Sequence, residues 1–315
     1  MNDKPEFLKK NPYMWILIAW FCALLWGTAA PTVKFAYGEY GIAGDTFSVI
    51  LFAGSRFALA GIISLAGYML IKRERPQWTP GLFKSAVSLG LLQTTGQYIF
   101  YFLGVSRTSG TVASIIPSLS GFLIVLLSPI FYREDKLTRN KILGVIIGLP
   151  GIIILQVRGG GSDIHFRFNA EGFIMIATLF GALGSIYSKA LVRKQDPLLL
   201  TALQLTIGGA IMMITGVAGG GRFNPNTALG WFLLIYLALV SSGAFALWTW
   251  LLKYYDGTRV GMFKALIPLH GTIISGILLG DNIWQWQIGL SLILVILGLY
   301  LTSRKNGGAK ALPKI

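Results

Sequence analysis

Ten continuous apolar runs, each near twenty residues, take up almost all of this 315-residue chain, and the second five repeat the layout of the first five. A bilayer core of roughly 30 Å is crossed by about 20 apolar residues wound as a helix. The runs are continuous rather than alternating, which excludes a porin-like barrel. The predicted fold is therefore an all-α membrane protein with ten transmembrane helices, at 13–36, 47–71, 82–104, 110–132, 140–157, 171–192, 198–219, 228–252, 258–280 and 285–303. The repeat is visible in the residues: Trp26-Gly27-Thr28 is echoed by Phe180-Gly181-Ala182, and Tyr101 to Ser109 by Trp250 to Thr258. The stretch from Asp135 to Leu155 recurs from Asp281 to Leu301. Two five-span halves read most simply as a transporter whose substrate is held where the halves meet.

The formal charge of +15 invites a nucleic-acid reading, but the placement of the cations opposes it. With the N-terminus set inside, 19 of the 27 Lys and Arg residues fall in inner segments and only Arg107, Arg158, Arg167 and Arg222 in outer ones. This asymmetry predicts both termini in the cytoplasm. The charge is then a topology signal that also attracts anionic lipid heads. Hydrophobic residues make up 54% of the chain and charged residues 12%, which leaves no room for a soluble domain.

The expected organisation is a first five-helix repeat over 1–157, an extracytoplasmic linker over 158–170, a second repeat over 171–304 and a cytoplasmic tail over 305–315. The linker carries Gly159-Gly160-Gly161-Ser162, a flexible composition. The first apolar run is too long for a cleavable signal peptide. The single cysteine, Cys22, can build neither a disulfide framework nor a cysteine zinc site.

The chain resembles the EamA-like branch of the drug/metabolite transporter superfamily over nearly its whole length. The likeness is carried by Leu24-Leu25-Trp26-Gly27-Thr28 with Val33-Lys34, by Arg56-Phe57-Ala58-Leu59-Ala60, by Tyr98 to Phe102, and by Ile267-Pro268 with Leu278-Leu279-Gly280-Asp281. The resemblance implies two inverted five-helix repeats around a central cavity lined mainly by spans 1, 3, 4, 6, 8 and 9. It also implies export. Pro117 stands earlier in span 4 than the family's proline, whose usual place is taken by Ser120-Gly121.

Polar residues within spans are costly and therefore mark candidate sites. Lys34 and Lys189 stand near span ends, where a lysine can snorkel to the headgroups. Arg56 is a structural or site cation, with Asp45 as a candidate partner. Lys264 lies roughly 10 Å into span 9, counting 1.5 Å per residue from Gly257, and its repeat counterpart is the apolar Ile115. The repeat scaffold does not require it, so it is the leading candidate for holding a substrate carboxylate or phosphate. Gln93, Gln97 and Tyr101 recur at helical spacing on span 3 and offer hydrogen bonds; interhelical bonding is their bland alternative. Trp26, Trp248 and Tyr187 are candidate ring walls. His270 titrates in a range suited to proton coupling, and Pro31 and Pro268 are candidate hinges. Gly144-xxx-Gly148 is a close-packing face, inside a monomer or at a homodimer contact.

No Asp or Glu lies in the interior of a span, Asp45, Glu171 and Asp281 standing at span ends, which disfavours exporters of lipophilic cations, since two deep cations repel such cargo. No nucleophile–base pair, aspartate pair or metal cluster can be assembled, so an enzyme is not expected, nor is any cofactor. The reading is a secondary transporter of the inner or plasma membrane, moving a small polar metabolite such as an amino acid or organic anion. The alternatives are a multidrug or lipophilic-compound exporter, and a non-transporting receptor or scaffold. The expected partners are the small-molecule substrate and the bilayer, with no nucleic acid.

Overall fold

The computed structural model describes residues 5–105, 116–117, 119–132, 136–156, 167–279 and 286–303, and no strand occurs among them. A short α1 (Glu6–Lys10) precedes α2 (Met14–Glu39) and α3 (Thr46–Lys72). The next span is composite: α4 (Pro80–Leu89) passes through π-helical turns over Gly90–Gly96 into α5 (Gln97–Val105). Then come α6 (Ser120–Phe131), α7 (Arg139–Gln156), and a π turn Phe168–Gly172 leading into α8 (Phe173–Leu191). They are followed by α9 (Pro197–Ala218) and α10 (Ala228–Tyr254). The following span is α11 (Gly257–Met262), a 3-10 turn Phe263–Leu266 and α12 (Ile267–Leu279), and α13 (Trp286–Ser303) is the last. Each predicted apolar run thus contains helix. Ile115, the linker from 157 to 166 and the tail from 304 lie outside the described residues. Among the described residues, six helical stretches are long and apolar enough to cross a bilayer: Met14–Glu39, Thr46–Lys72, Phe168–Leu191, Pro197–Ala218, Ala228–Tyr254 and Gly257–Leu278.

Polar caps set where several helices begin. Asp45 accepts from Phe47 N and from Ser48 Oγ at the start of α3. These bonds hold the Asp45 carboxyl below the usual carboxylate range, the Ser48 hydroxyl contributing most. Asp45 therefore serves the helix start and forms no ion pair with Arg56. Thr79, Asp196, Thr227 and Asp256 cap α4, α9, α10 and α11 in the same way, and Pro80 and Pro197 pre-set the first turns of α4 and α9.

Helix association in lipid relies on close packing rather than on excluding water, so small residues mark the contacts. Along α3, Gly54 and Gly61 lie against α9 near Gly209 and Thr206, and Gly216 of α9 lies against Leu51. The numbering rises on one helix as it falls on the other, so the pair is antiparallel. The Gly144-xxx-Gly148 face is used inside the chain, against Gly298 and Thr302 of α13, again antiparallel. Gly121 of α6 approaches Gly261 of α11, and Gly27 of α2 approaches His270 and Gly271 of α12. Further pairings are α2 with α10, α3 with α10, α4 with α9, α5 with α8, and α6 with α8. Outward sides carry Leu70, Ile71, Ile146, Ile214 and Phe232, all exposed, as a lipid-facing surface requires.

Candidate substrate-binding site

Pro268 explains how Lys264 is mounted. In an α-helix the N–H of residue 268 would bond the carbonyl of residue 264, and proline has no N–H to give. The Lys264 carbonyl instead accepts from Ile267 N, an i+3 bond that tightens the chain into the 3-10 turn Phe263–Leu266. Gly261 and Gly121 let α6 come close behind this turn, where a Cβ on Gly121 would lie 2.8 Å from the Gly261 carbonyl.

The Lys264 side chain is 8% exposed and no salt bridge reaches it among the described residues. Its Nζ donates to Ser185 Oγ of α8 at 2.8 Å. The Ser185 hydroxyl in turn donates to the Gly181 carbonyl at 3.0 Å, so its lone pairs are free to take the lysine bond. Nζ also lies 5.0 Å from the ring centroid of Trp248 and 5.4 Å from that of Trp26. The two indoles pack at 5.1 Å, and Trp26 meets Phe245 edge-on at 5.5 Å. An ammonium has three donors, of which one is used here. The Nε1 atoms of Trp26 and Trp248 are both buried without a hydrogen-bond partner. The cage is therefore rich in donors and short of acceptors. Chemically, that favours a guest bearing an anionic oxygen.

Lys264, Trp26 and Trp248, the leading candidates from sequence, are brought together by α2, α10 and the 3-10 turn. The glutamines border the same stretch of α8. Gln93 packs over Gly184 and Gln97 over Gly181, with the Gln93 Oε1 buried and unpartnered. Tyr101 instead joins Tyr98 at 6.4 Å on the side of α5 that faces α3. Tyr187 is elsewhere again, its hydroxyl 3.0 Å from Ser88 Oγ in a cluster with Leu82 and Leu199. His270 lies where α12 meets α2, its ring 5.6 Å from the exposed Trp20 and its Nδ1 buried without a partner. Lys34 is exposed in a surface depression with Phe35, Gly38 and Glu39. Lys189 is buried with its Nζ over the Tyr132 ring at 4.8 Å. Pro31 is internal to α2 and leaves the Gly27 carbonyl without its helical partner, in a contact with α12 near Gly271. Among the described residues no group of His, Cys, Asp or Glu is arranged to hold a metal ion.

Sequence reasoning missed Ser185. Its only signal is its place beside Gly181 and Gly184 on one small-residue face of α8, and serines are common in such faces. Its link to Lys264 predicts a strong coupling. Ser185→Ala is expected to cost about 1.5–3 kcal/mol, the worth of a hydrogen bond to a charged group, and to cost little in a Lys264→Met background. A thermal-denaturation double-mutant cycle in detergent measures that difference.

The long apolar helices are those of a multi-pass membrane protein. The family model for the EamA-like transporter family matches residues 13–157 and 169–304, and the chain belongs to that family. A protein of Archaeoglobus fulgidus described as an uncharacterized transporter is 26% identical, the match covering 93% of this chain and 99% of that one. YetK of Bacillus subtilis, also described as an uncharacterized transporter, is 27% identical over 85% of this chain and 82% of its own length. YedA of Escherichia coli K12, described as an uncharacterized inner membrane transporter, is 24% identical over 90% of each chain. A solved crystal structure, titled only as that of a protein, superposes with a TM-score of 0.75 at 18% identity, covering 92% of this chain and 96% of that one; this likeness concerns the fold alone. The chain is a transporter rather than an enzyme.

Proposed function

We propose that the protein is a secondary transporter for a small metabolite bearing a carboxylate, an amino acid or organic anion, which binds in the Lys264–Trp26–Trp248 cage. The observation that carries this reading is the cage's surplus of donors: an ammonium with one hydrogen bond and two indole N–H groups with none. An unpaired lysine at such depth costs on the order of 2.5–3.5 kcal/mol on insertion scales. A bound anion offsets that cost, and the indole faces receive the apolar part of the guest. Gln93 and Gln97 would set its orientation, with Tyr101 and Tyr187 further from the cation.

The architecture we assign is ten spans in two inverted five-helix repeats, residues 1–157 and 171–304, around a central cavity. The helix pairings support it. Numbering the spans in order, 2 packs on 7, 4 on 9 and 5 on 10; 1 packs on 8 and 9, 3 on 6 and 7, 2 on 8, and 4 on 6. Exchanging each span with the one five positions along maps this set onto itself, as a two-fold relation between halves requires. The antiparallel run of 2 with 7 and of 5 with 10 fits units of an odd number of spans. Alternating access would then rock the halves about the cage, with Pro31 and Pro268 as hinges and His270 as a candidate proton carrier. Both termini are assigned to the cytoplasm, and export is the direction we favour.

The reading is tested with purified protein and proteoliposomes. Anionic, zwitterionic, neutral and cationic metabolites are screened by thermal shift on wild type and Lys264→Ala, and the ligands that stabilise are taken to flux assays. The expected outcome is stabilisation by an anion or zwitterion, weakened in the variant, with saturable flux of the same compound. Stabilisation by cations, or an equal response in both proteins, removes Lys264 from the binding role. Binding without flux indicates a receptor.

A further inference from the structure

Arg56 is a second buried cation that no acidic side chain neutralises among the described residues. It sits on α3, 5% exposed. Its Nε is buried without a hydrogen-bond partner, and so is the hydroxyl of Tyr37 on α2. Its guanidinium lies 4.4 Å from the Phe57 ring centroid, Phe57 lies 4.5 Å from the Tyr98 ring and Tyr98 lies 6.4 Å from that of Tyr101, while Tyr37 packs on the same core cluster. Two helices thus bring these three phenols to the cluster that the guanidinium, on a third, adjoins. A guanidinium presents five donors in a planar fork that matches a carboxylate, and each phenol can add an O–H.

The place is separate from the Lys264 cage. Arg56 adjoins Phe57, which shares a core cluster with Tyr98 and Tyr37, whereas Lys264 adjoins Trp248 in the other core cluster. Trp26 belongs to both clusters, and rings connect them: Trp26 to Phe245 at 5.5 Å, and Phe245 to Phe57 at 6.4 Å. The Arg56 group lies toward the Glu39 end of α2, through Tyr37, and the Lys264 cage toward the Tyr254 end of α10, through Trp248.

We propose that Arg56, framed by Tyr37, Tyr98 and Tyr101, is a second carboxylate-binding site, occupied independently of Lys264. It rests on the functional reading above only for the class of ligand, not for the role of Lys264. A substrate moving between the two faces of the protein then meets two cationic stations joined by an aromatic wall.

Radiolabelled benzoate supplies the test, with equilibrium dialysis against the full chain in detergent at millimolar concentrations. Wild type is expected to bind two equivalents, Arg56→Met one, Lys264→Met one, and the double variant none. Two equivalents retained by Arg56→Met, or a single wild-type equivalent lost only in Lys264→Met, overturns the proposal, as does the absence of benzoate binding to wild type. Loss confined to Arg56→Met sustains this site and removes the Lys264 cage instead. Arg56→Lys keeps the charge but not the fork and is expected to weaken this site about tenfold; unchanged affinity in that variant overturns the carboxylate assignment. Thermal denaturation gives a second readout. The ligand-free Arg56→Met protein melts higher than wild type if the cation waits for a ligand, and lower if it is a structural tie.

Discussion

Replacing Lys264 by methionine is expected to raise the thermal stability of the ligand-free protein while removing the part of its response to anionic ligands that the cage supplies. The two side chains are similar in length and volume, so the cage stays filled. What disappears is a buried charge held by one serine and two ring faces. Exchanging buried ionic groups for well-packed apolar ones of similar size is often neutral or stabilising by about 1–4 kcal/mol. For a chain of this size that corresponds to a midpoint shift of a few degrees. Melting curves of wild type and Lys264→Met, each with and without the anion found by screening, check both halves of the expectation. A lower midpoint in the ligand-free variant would show that Lys264 mainly ties α8 to the 3-10 turn, and the case for a binding role would fall with it.

Gly209→Leu is expected to remove folded protein altogether, whereas Gly67→Leu is expected to be tolerated. A Cβ on Gly209 would lie 2.8 Å from the Gly54 carbonyl and 2.9 Å from Ala58 Cα. Both are backbone atoms of α3, so relief requires the two helices to separate along a contact built from small residues. The cost is on the order of 3–5 kcal/mol, at the upper end for overpacking. Gly67 is on the same α3 but has nothing within 4 Å of its hypothetical Cβ. Size-exclusion profiles of the two variants in mild detergent separate the outcomes. Equal monodisperse recovery of both would mean that the α3–α9 contact yields, and that the close packing is incidental.

The helices were legible because a span must be apolar over a fixed length, and among the described residues that rule sets ends such as those of α3, α7 and α9 to within a few residues. Lys264, Trp26 and Trp248 could be chosen because a lysine deep in an apolar run is a costly exception. What was not legible is which side of each helix meets which neighbour. The helices are apolar nearly all round, so no stripe fixes their rotation. Hence Tyr187 reaches Ser88, and Tyr101 turns toward α3 with Tyr98, though both carry the aromatic character of a ring wall. The partnership of Ser185 with Lys264 spans 79 residues and depends on how α8 is rotated, which no local spacing records. The Gly144-xxx-Gly148 face left its partner open in the sequence, and the partner is α13 of the same chain.

The proline after the 3-10 turn has a consequence for any cycle of shape change. Other helix interruptions can heal when surroundings alter, because the missing bond is only displaced. Here the nitrogen of residue 268 carries a ring carbon in place of hydrogen, so the regular bond to Lys264 is forbidden by covalent structure. The seam in this span therefore persists whatever shape the protein takes. In the proposed transport cycle it is a permanent point of bending beside Lys264, whose partners are the indoles of α2 and α10 and the serine of α8.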